Sequence, residues 1–148
     1  TYGSPIYANY IPETSDATVQ MLESHGAIPI AKSNVPEWAG GHTFNSVNGM
    51  TRNPWNLKRS AGGSSGGSGA ALASGQAWLA TGNALGGSLR TPAGFNGVTG
   101  LRPSPGIVPR GKRLQPFDTL WVEGPMGRSI ADVALMLDAG AGCVASDP

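Results

Sequence analysis

Two serine-bearing glycine turns are the residues of this sequence best suited to chemistry. The first, from Gly62 to Gly69, reads Gly-Gly-Ser-Ser-Gly-Gly-Ser-Gly, and the second, Gly86-Gly87-Ser88, places its serine 24 residues after Ser64. Glycine-rich turns that lead into helices expose backbone N–H groups, which bind anions or stabilise a developing negative charge. The pattern therefore predicts a single reaction centre built from both turns.

Three chemistries use such turns. A phosphate-binding P-loop needs a lysine that neither turn contains, and a dinucleotide fingerprint needs a strand directly before its glycines, where this sequence has a long loop. Acyl transfer, in which a serine attacks a carbonyl and neighbouring amides hold the oxyanion, fits the strand, Gly-Gly-Ser and helix order around Ser88. A serine needs a base, and His25 and His42 are candidates. No acidic motif accompanies either histidine, so a surface or hydrogen-bonded role is favoured for both.

Composition limits the classes of partner. The 148 residues are 39% hydrophobic, enough for one core, and their net charge of +1 gives no basis for binding nucleic acid. Because we find no apolar stretch of about 20 residues and no signal peptide, we expect no membrane contact and a cytoplasmic location. Cys143 is the only cysteine, and we expect no metal and no other cofactor.

Alternating helix and strand patterns predict an α/β protein. A helix is expected from Ser15 or Asp16 to Ser24, followed by a buried strand at 27–31. A long loop at 34–65 contains three large aromatic side chains, which favours a packed, functional loop. The other predicted elements are a small-residue helix at 66–74, a strand at 76–81, a short helix after Ser88, a strand at 98–101, a proline-rich loop at 102–125, and a helix capped by Ser129 whose apolar stripe is Ile130, Val133, Ala134 and Leu137.

The residues 62–75 resemble the signature of the amidase signature family of serine hydrolases. Five further blocks also resemble that family and occur in the same order as in its members. They are residues 31–37, 51–55, 86–93, 100–104 and 124–128. The resemblance implies the amidase signature fold, a mixed β-sheet core flanked by helices. It also implies a Ser-cisSer-Lys triad that hydrolyses a carboxylic amide of a small molecule through a serine acyl-enzyme.

The resemblance assigns roles by position. Ser88 matches the nucleophile, and Ser64 matches the bridging serine, whose peptide bond with Gly63 is cis in the family. The remaining matches are the oxyanion hole at the N–H groups of Leu85, Gly86, Gly87 and Ser88, a supporting hydrogen-bonding residue at Ser65, and a segment around Ala39 that lines the acyl pocket.

Two departures from the family pattern follow. The catalytic lysine of the family precedes the segment that begins at Thr1, and Lys32 matches a different lysine, so we expect residues 1–148 to be the central part of one amidase signature domain, truncated at both ends and inactive alone. Ala84 stands where the family usually has an aspartate that can balance Arg90. Either Arg90 reaches backbone carbonyls instead, or activity is reduced or lost.

Three functions stay open. The leading one is a free-standing amidase, because the residues 34–38, Asn-Val-Pro-Glu-Trp, are more like those enzymes. The second is the amide-hydrolysing subunit of a tRNA-dependent amidotransferase, which shares the motifs. The third is a non-catalytic amide-binding pseudoenzyme, suggested by Ala84 and the missing lysine. The identity of the amide and the oligomeric state are not indicated by the sequence.

Overall fold

The computed structural model describes residues 1–111, 115, 117–145 and 147. Helices and strands are mixed along the chain, which confirms the α/β class. Two single 3-10 turns lie at Pro5–Tyr7 and Glu37–Ala39. In chain order, the other elements are α1 (Ala17–Ser24), β1 (Phe44–Asn45), β2 (Gly49–Met50), β3 (Arg52–Asn53), β4 (Asn56–Ser60), α2 (Gly66–Ala73), β5 (Leu79–Ala84), α3 (Arg90–Asn96), β6 (Thr99–Gly100), β7 (Val122–Gly127) and α4 (Ile130–Gly140).

The central sheet has the order β5-β7-β6, with both neighbouring pairs antiparallel. β5 and β7 are in register over six consecutive pairs, from Leu79 opposite Gly127 to Ala84 opposite Val122. The predicted loop at 102–125 is therefore wrong for 122–125, while residues 112–114 and 116 of it lie outside the described residues. The prolines of this region favour a loop, yet Pro125 is tolerated inside β7. β5 begins and ends three residues later than predicted.

The hydrophobic core lies between this sheet and helices α2 and α3. It consists of Leu72, Ala84, Leu89, Ala93, Val122 and Met126. Small residues let the two helices approach each other closely. A Cβ on Gly69 would lie 2.7 Å from the Asn96 side-chain nitrogen, so a larger residue does not fit there. The predicted small-residue helix is thus confirmed as α2.

The region at 34–65 is not a plain loop, because it contains two short antiparallel hairpins, β1-β2 and β3-β4. Polar side chains fix the first hairpin: Asn45 Nδ2 donates to Asn34 Oδ1 (2.7 Å), and Asn34 Nδ2 donates to Gly49 O (3.0 Å). The second hairpin reaches α3 through the Trp55 indole, which donates to Asn96 O (2.7 Å). The prediction that the aromatic side chains are packed is nevertheless wrong for Trp55, which is 71% exposed.

The N-terminal caps of α1 and α4 agree with the sequence prediction. Asp16 Oδ1 accepts from the Thr18 N–H (3.2 Å) at the start of α1, and Ser129 forms a reciprocal capping box with Asp132 at the start of α4. The buried face of α4 is Val133, Met136 and Gly140. The predicted stripe is therefore wrong at Ile130 and Ala134, which are exposed.

The predicted strand at 27–31 is absent from the described structure, where these residues have no regular structure. Ile28 and Ile30 are 84% and 74% exposed. A strand needs a hydrogen-bonded neighbour, and no described residue pairs with this segment. Among the described helices, the longest, α4, has 11 residues, and none could cross a membrane.

Candidate active site

The second serine turn connects β5 to α3. Leu85, Gly86 and Gly87 leave the end of the strand, and the Thr91 N–H donates to Gly87 O (2.7 Å) as the helix begins. Ser88 is half-buried, whereas Leu85 and Gly86 are exposed. Within the described part of the chain, the N–H groups of residues 85–88 make no hydrogen bond. Four unpaired donors in one turn can therefore bind the oxygen of an approaching carbonyl.

The first serine turn precedes α2. The Gly63–Ser64 peptide bond is cis, as the resemblance implies, and Gly62 has a positive φ of 78°. Ser64 is buried, with 3% of its surface exposed. The segment 41–42 packs against this turn so closely that a Cβ on Gly63 would collide with Gly41 O and lie 2.8 Å from His42 Cα.

Contacts with β5 and α3 bring the two turns together. Ser65 Oγ accepts from the Asn83 N–H (3.2 Å) and donates to Asn83 O (3.4 Å), which joins the first turn to the last residues of β5. A Cβ on Gly62 would lie 3.1 Å from Pro92 Cα, in the first turn of α3. Both turns therefore meet at the same end of β5. Ser65 supplies the side chain of this connection, and its role in catalysis stays a prediction.

Thr43 is a residue of this site that the sequence does not reveal. Its side chain is 2% exposed and contacts the backbone of the first serine turn at three places. A single threonine in a polar loop has no pattern that marks it. Only the approach of two distant segments in the fold gives it partners.

Ala39 lies apart from the contacts that join the two turns. It ends the 3-10 turn Glu37–Ala39 with a positive φ of 59°, and Trp38 before it also has a positive φ of 52°. The Trp38 ring stacks on Tyr2 with 5.0 Å between centroids. Two adjacent residues with backbone conformations that non-glycine residues rarely adopt thus lie within the segment that the resemblance places in the acyl pocket.

Ala84 stands at the position where the family resemblance implies an aspartate beside Arg90. Ala84 is fully buried in the core, and Arg90 Nη2 donates to Gly86 O (3.0 Å). Arg90 therefore reaches a backbone carbonyl of the second turn, the first of the two arrangements expected from the sequence.

None of the candidate bases in the described residues is joined to either serine. His25 Nδ1 lies 3.0 Å from Met21 O, and His42 Nδ1 lies 3.3 Å from Ser60 Oγ. Lys32 is exposed. These side chains make no hydrogen bond to Ser64 or Ser88, which agrees with the structural roles expected for the histidines.

The order of the motifs and this geometry agree with the comparisons. The family model for amidases matches residues 1–148. The chain belongs to the amidase signature family. One subunit of the glutamyl-tRNA(Gln) amidotransferase from Sulfolobus acidocaldarius is 47% identical to this chain over 143 residues, which are 96% of the chain and 30% of the relative.

Solved structures of amidases have the same fold. A 6-aminohexanoate cyclic dimer hydrolase has a TM-score of 0.89 at 38% identity, covering 96% of this chain and 30% of that one. A bacterial aryl acylamidase of the amidase signature family has a TM-score of 0.85 at 34% identity, covering 92% of this chain and 28% of that one. The chain thus spans about three tenths of the length of the relatives it matches.

Proposed function

We propose that the protein carrying this chain hydrolyses a carboxylic amide through an acyl-enzyme on Ser88. The observation that carries the proposal is the turn at 85–88, where a half-buried serine follows directly on backbone N–H groups that have no partner among the described residues. A serine in this position can attack a carbonyl carbon while the amides hold the oxygen. Membership of the amidase family supports the reaction class.

Ser64 is proposed to relay the proton. In the family pattern a neutral lysine, which lies before the part that residues 1–148 match, takes a proton through the bridging serine as the nucleophile attacks. The same relay then returns the proton to the leaving amine, so that water can release the acyl group in a second, matching step. The meeting of both serine turns at the end of β5 supports this assignment.

The oxyanion donors carry a large part of the proposed catalysis. Removing one such donor typically costs about 2.7–4 kcal/mol of transition-state stabilisation, equivalent to a rate loss of about 100- to 1,000-fold. The hydrogen bond from Arg90 to Gly86 O and that from Thr91 to Gly87 O hold the turn that presents these donors. We therefore assign Arg90 a supporting role in the shape of the oxyanion hole.

Labelling with a fluorophosphonate, which reacts with activated serines, tests the proposal in the full-length protein. We expect one labelled site, Ser88, and loss of both labelling and amide hydrolysis in Ser88→Ala. Ser74→Ala is the matched control, because Ser74 is exposed at the end of α2 and its hydroxyl donates only to helix carbonyls. Absence of labelling at Ser88 in folded protein would contradict the proposal and favour a binding role.

The names of curated relatives favour a second candidate, the amide-hydrolysing subunit of an amidotransferase. Eight relatives that are 43–47% identical to this chain are subunits of glutamyl-tRNA(Gln) amidotransferases. Glutaminase activity that requires a partner protein, with no hydrolysis of other amides by the protein alone, would support this candidate. Hydrolysis of simple amides without a partner would support the free-standing amidase.

A further inference from the structure

The buried hydroxyl of Thr43 contacts the first serine turn on both sides of Ser64. It lies 2.9 Å from Gly62 O and 3.2 Å from Ser64 O, and it accepts from the Gly66 N–H at 2.9 Å. The Thr43 N–H adds a fourth contact by donating to Gly62 O (3.2 Å). One residue thus contacts the backbone two positions before Ser64, at Ser64 and two positions after it.

The Thr43 hydroxyl acts both as a donor and as an acceptor. A threonine hydroxyl has one proton and two lone pairs, so its proton is divided between the Gly62 and Ser64 carbonyls while a lone pair accepts from Gly66. Thr43 is 2% exposed, so bulk solvent does not reach these bonds. Loss of the hydroxyl would leave buried backbone groups with fewer partners and free the turn to move.

Thr43 is itself held by the surrounding loop. The Thr51 N–H donates to Thr43 O (3.0 Å), and Thr51 Oγ1 accepts from Asn34 Nδ2 (3.1 Å). Asn34 also accepts from Asn45 Nδ2 (2.7 Å), which ties the first hairpin and Thr51 into one network. The contacts of Thr43 therefore connect a fixed part of the loop at 34–65 to the turn that carries Ser64.

We propose that Thr43 is a positioning residue for the amidase reaction, which sets the location of Ser64 relative to Ser88. The inference rests on the proposed function, because it assigns to Thr43 the geometry of the proton relay. In this role Thr43 does not need to touch the substrate. It acts by holding the backbone of the serine that passes the proton.

Steady-state kinetics of the full-length protein test this role. Thr43→Val keeps the shape and removes the hydroxyl, and we expect kcat to fall about 10- to 100-fold with KM within about twofold, since small misplacements of catalytic groups cost rates of this order. Thr43→Ser keeps the hydroxyl and removes only the methyl group, so its kcat should stay within about threefold of wild type. Thr18→Val is the matched control, because Thr18 is also a buried threonine whose hydroxyl donates to one backbone oxygen, Pro109 O (2.7 Å), away from both serine turns.

Should Thr43→Val not fold, Thr43→Ser and Thr43→Ala give the same comparison, because both lack the methyl group and differ only in the hydroxyl. A Thr43→Val or Thr43→Ala enzyme with wild-type kcat would overturn the inference, as would an equal kcat loss in Thr18→Val. Labelling of Ser88 in wild-type protein distinguishes a failure of the role proposed for Thr43 from a failure of the proposed function. If Ser88 is labelled and Thr43 variants are fully active, only the role of Thr43 fails, whereas an unlabelled wild type contradicts the proposed function itself.

Discussion

At the residue scale, Gly66 and Gly94 are the same residue type in opposite surroundings. A Cβ on Gly66 would collide with the Thr43 hydroxyl and lie 2.9 Å from Thr43 Cβ, whereas nothing lies within 4 Å of a Cβ on Gly94. Gly94 is inside α3, where a glycine lacks the propensity that alanine would supply. A glycine is therefore required at 66, where Thr43 packs against the backbone, whereas the space at 94 would also accept a side chain.

We expect Gly66→Ala to destabilise the protein by about 1–3 kcal/mol, because the added methyl group overpacks a closed contact. Gly94→Ala is the matched control and should stabilise the protein by about 0.5–1 kcal/mol, the usual gain of alanine over glycine in a helix. Urea unfolding of both variants gives the comparison. Equal stability of Gly66→Ala and wild type would contradict the close packing of Gly66 on Thr43.

Sequence reasoning predicts some of these residues well and misses others for a physical reason. The glycine turns follow from local motifs and the cis bond before Ser64 from the family resemblance, and the structure brings both turns to one end of β5. Thr43 lies 21 positions before Ser64 and acts only after the chain has folded back on itself. No local pattern reports such a contact. The roles of Ser64, Ser65, Ser88 and Ala39 in catalysis stay predictions.

At the scale of single elements, helix ends are predicted more accurately than strands. Caps are local, so Asp16 and Ser129 mark their helices from side chains within three residues. Strands depend on partners that are distant in sequence, which explains why the pattern of β7 predicts a loop and why that of 27–31 predicts a strand. The exposed Ile130 shows the same limit for the face of a helix, because apolar spacing alone does not say what the helix packs against.

The capping box of α4 gives a prediction at this scale. Ser129 Oγ accepts from the Asp132 N–H (3.1 Å), and Asp132 Oδ2 accepts from the Ser129 N–H (3.0 Å). Ser129→Ala should lower the free energy of unfolding by about 1 kcal/mol, because the first turn of α4 then loses a cap. Ser74→Ala should change it by less than about 0.5 kcal/mol, since the exposed Ser74 hydroxyl caps no helix N–H. A loss of equal size in both variants, measured by urea unfolding, would argue against the box.

At the scale of the whole molecule, many large hydrophobic side chains of the described residues are exposed. Ile28 and Ile30 are 84% and 74% exposed in a segment without a strand partner among the described residues. The chain also spans about three tenths of its relatives. Exposed apolar surface of this kind favours association with other protein surfaces.

A polypeptide of residues 1–148 should therefore self-associate, and the double variant Ile28→Lys, Ile30→Lys should reduce that association. The free energy of unfolding should change by less than about 0.5 kcal/mol, because neither side chain is in the core. Leu72→Lys is the contrasting variant, since Leu72 is fully buried and a charge there should unfold the chain. Sedimentation velocity measures the association. Unchanged self-association in the double variant would show that other surfaces drive it.

The register between β5 and β7 decides where the chain can be lengthened. Six consecutive pairs end at Ala84 opposite Val122, and the second serine turn begins at the next residue. One residue inserted within β7 would shift the pairing and turn every following side chain to the opposite face. An insertion after Gly106, in an exposed turn outside the ladder, would leave Ser88 in place. New loops or tags can thus be added at Gly106 without disturbing the β5–β7 pairing that ends at the second serine turn.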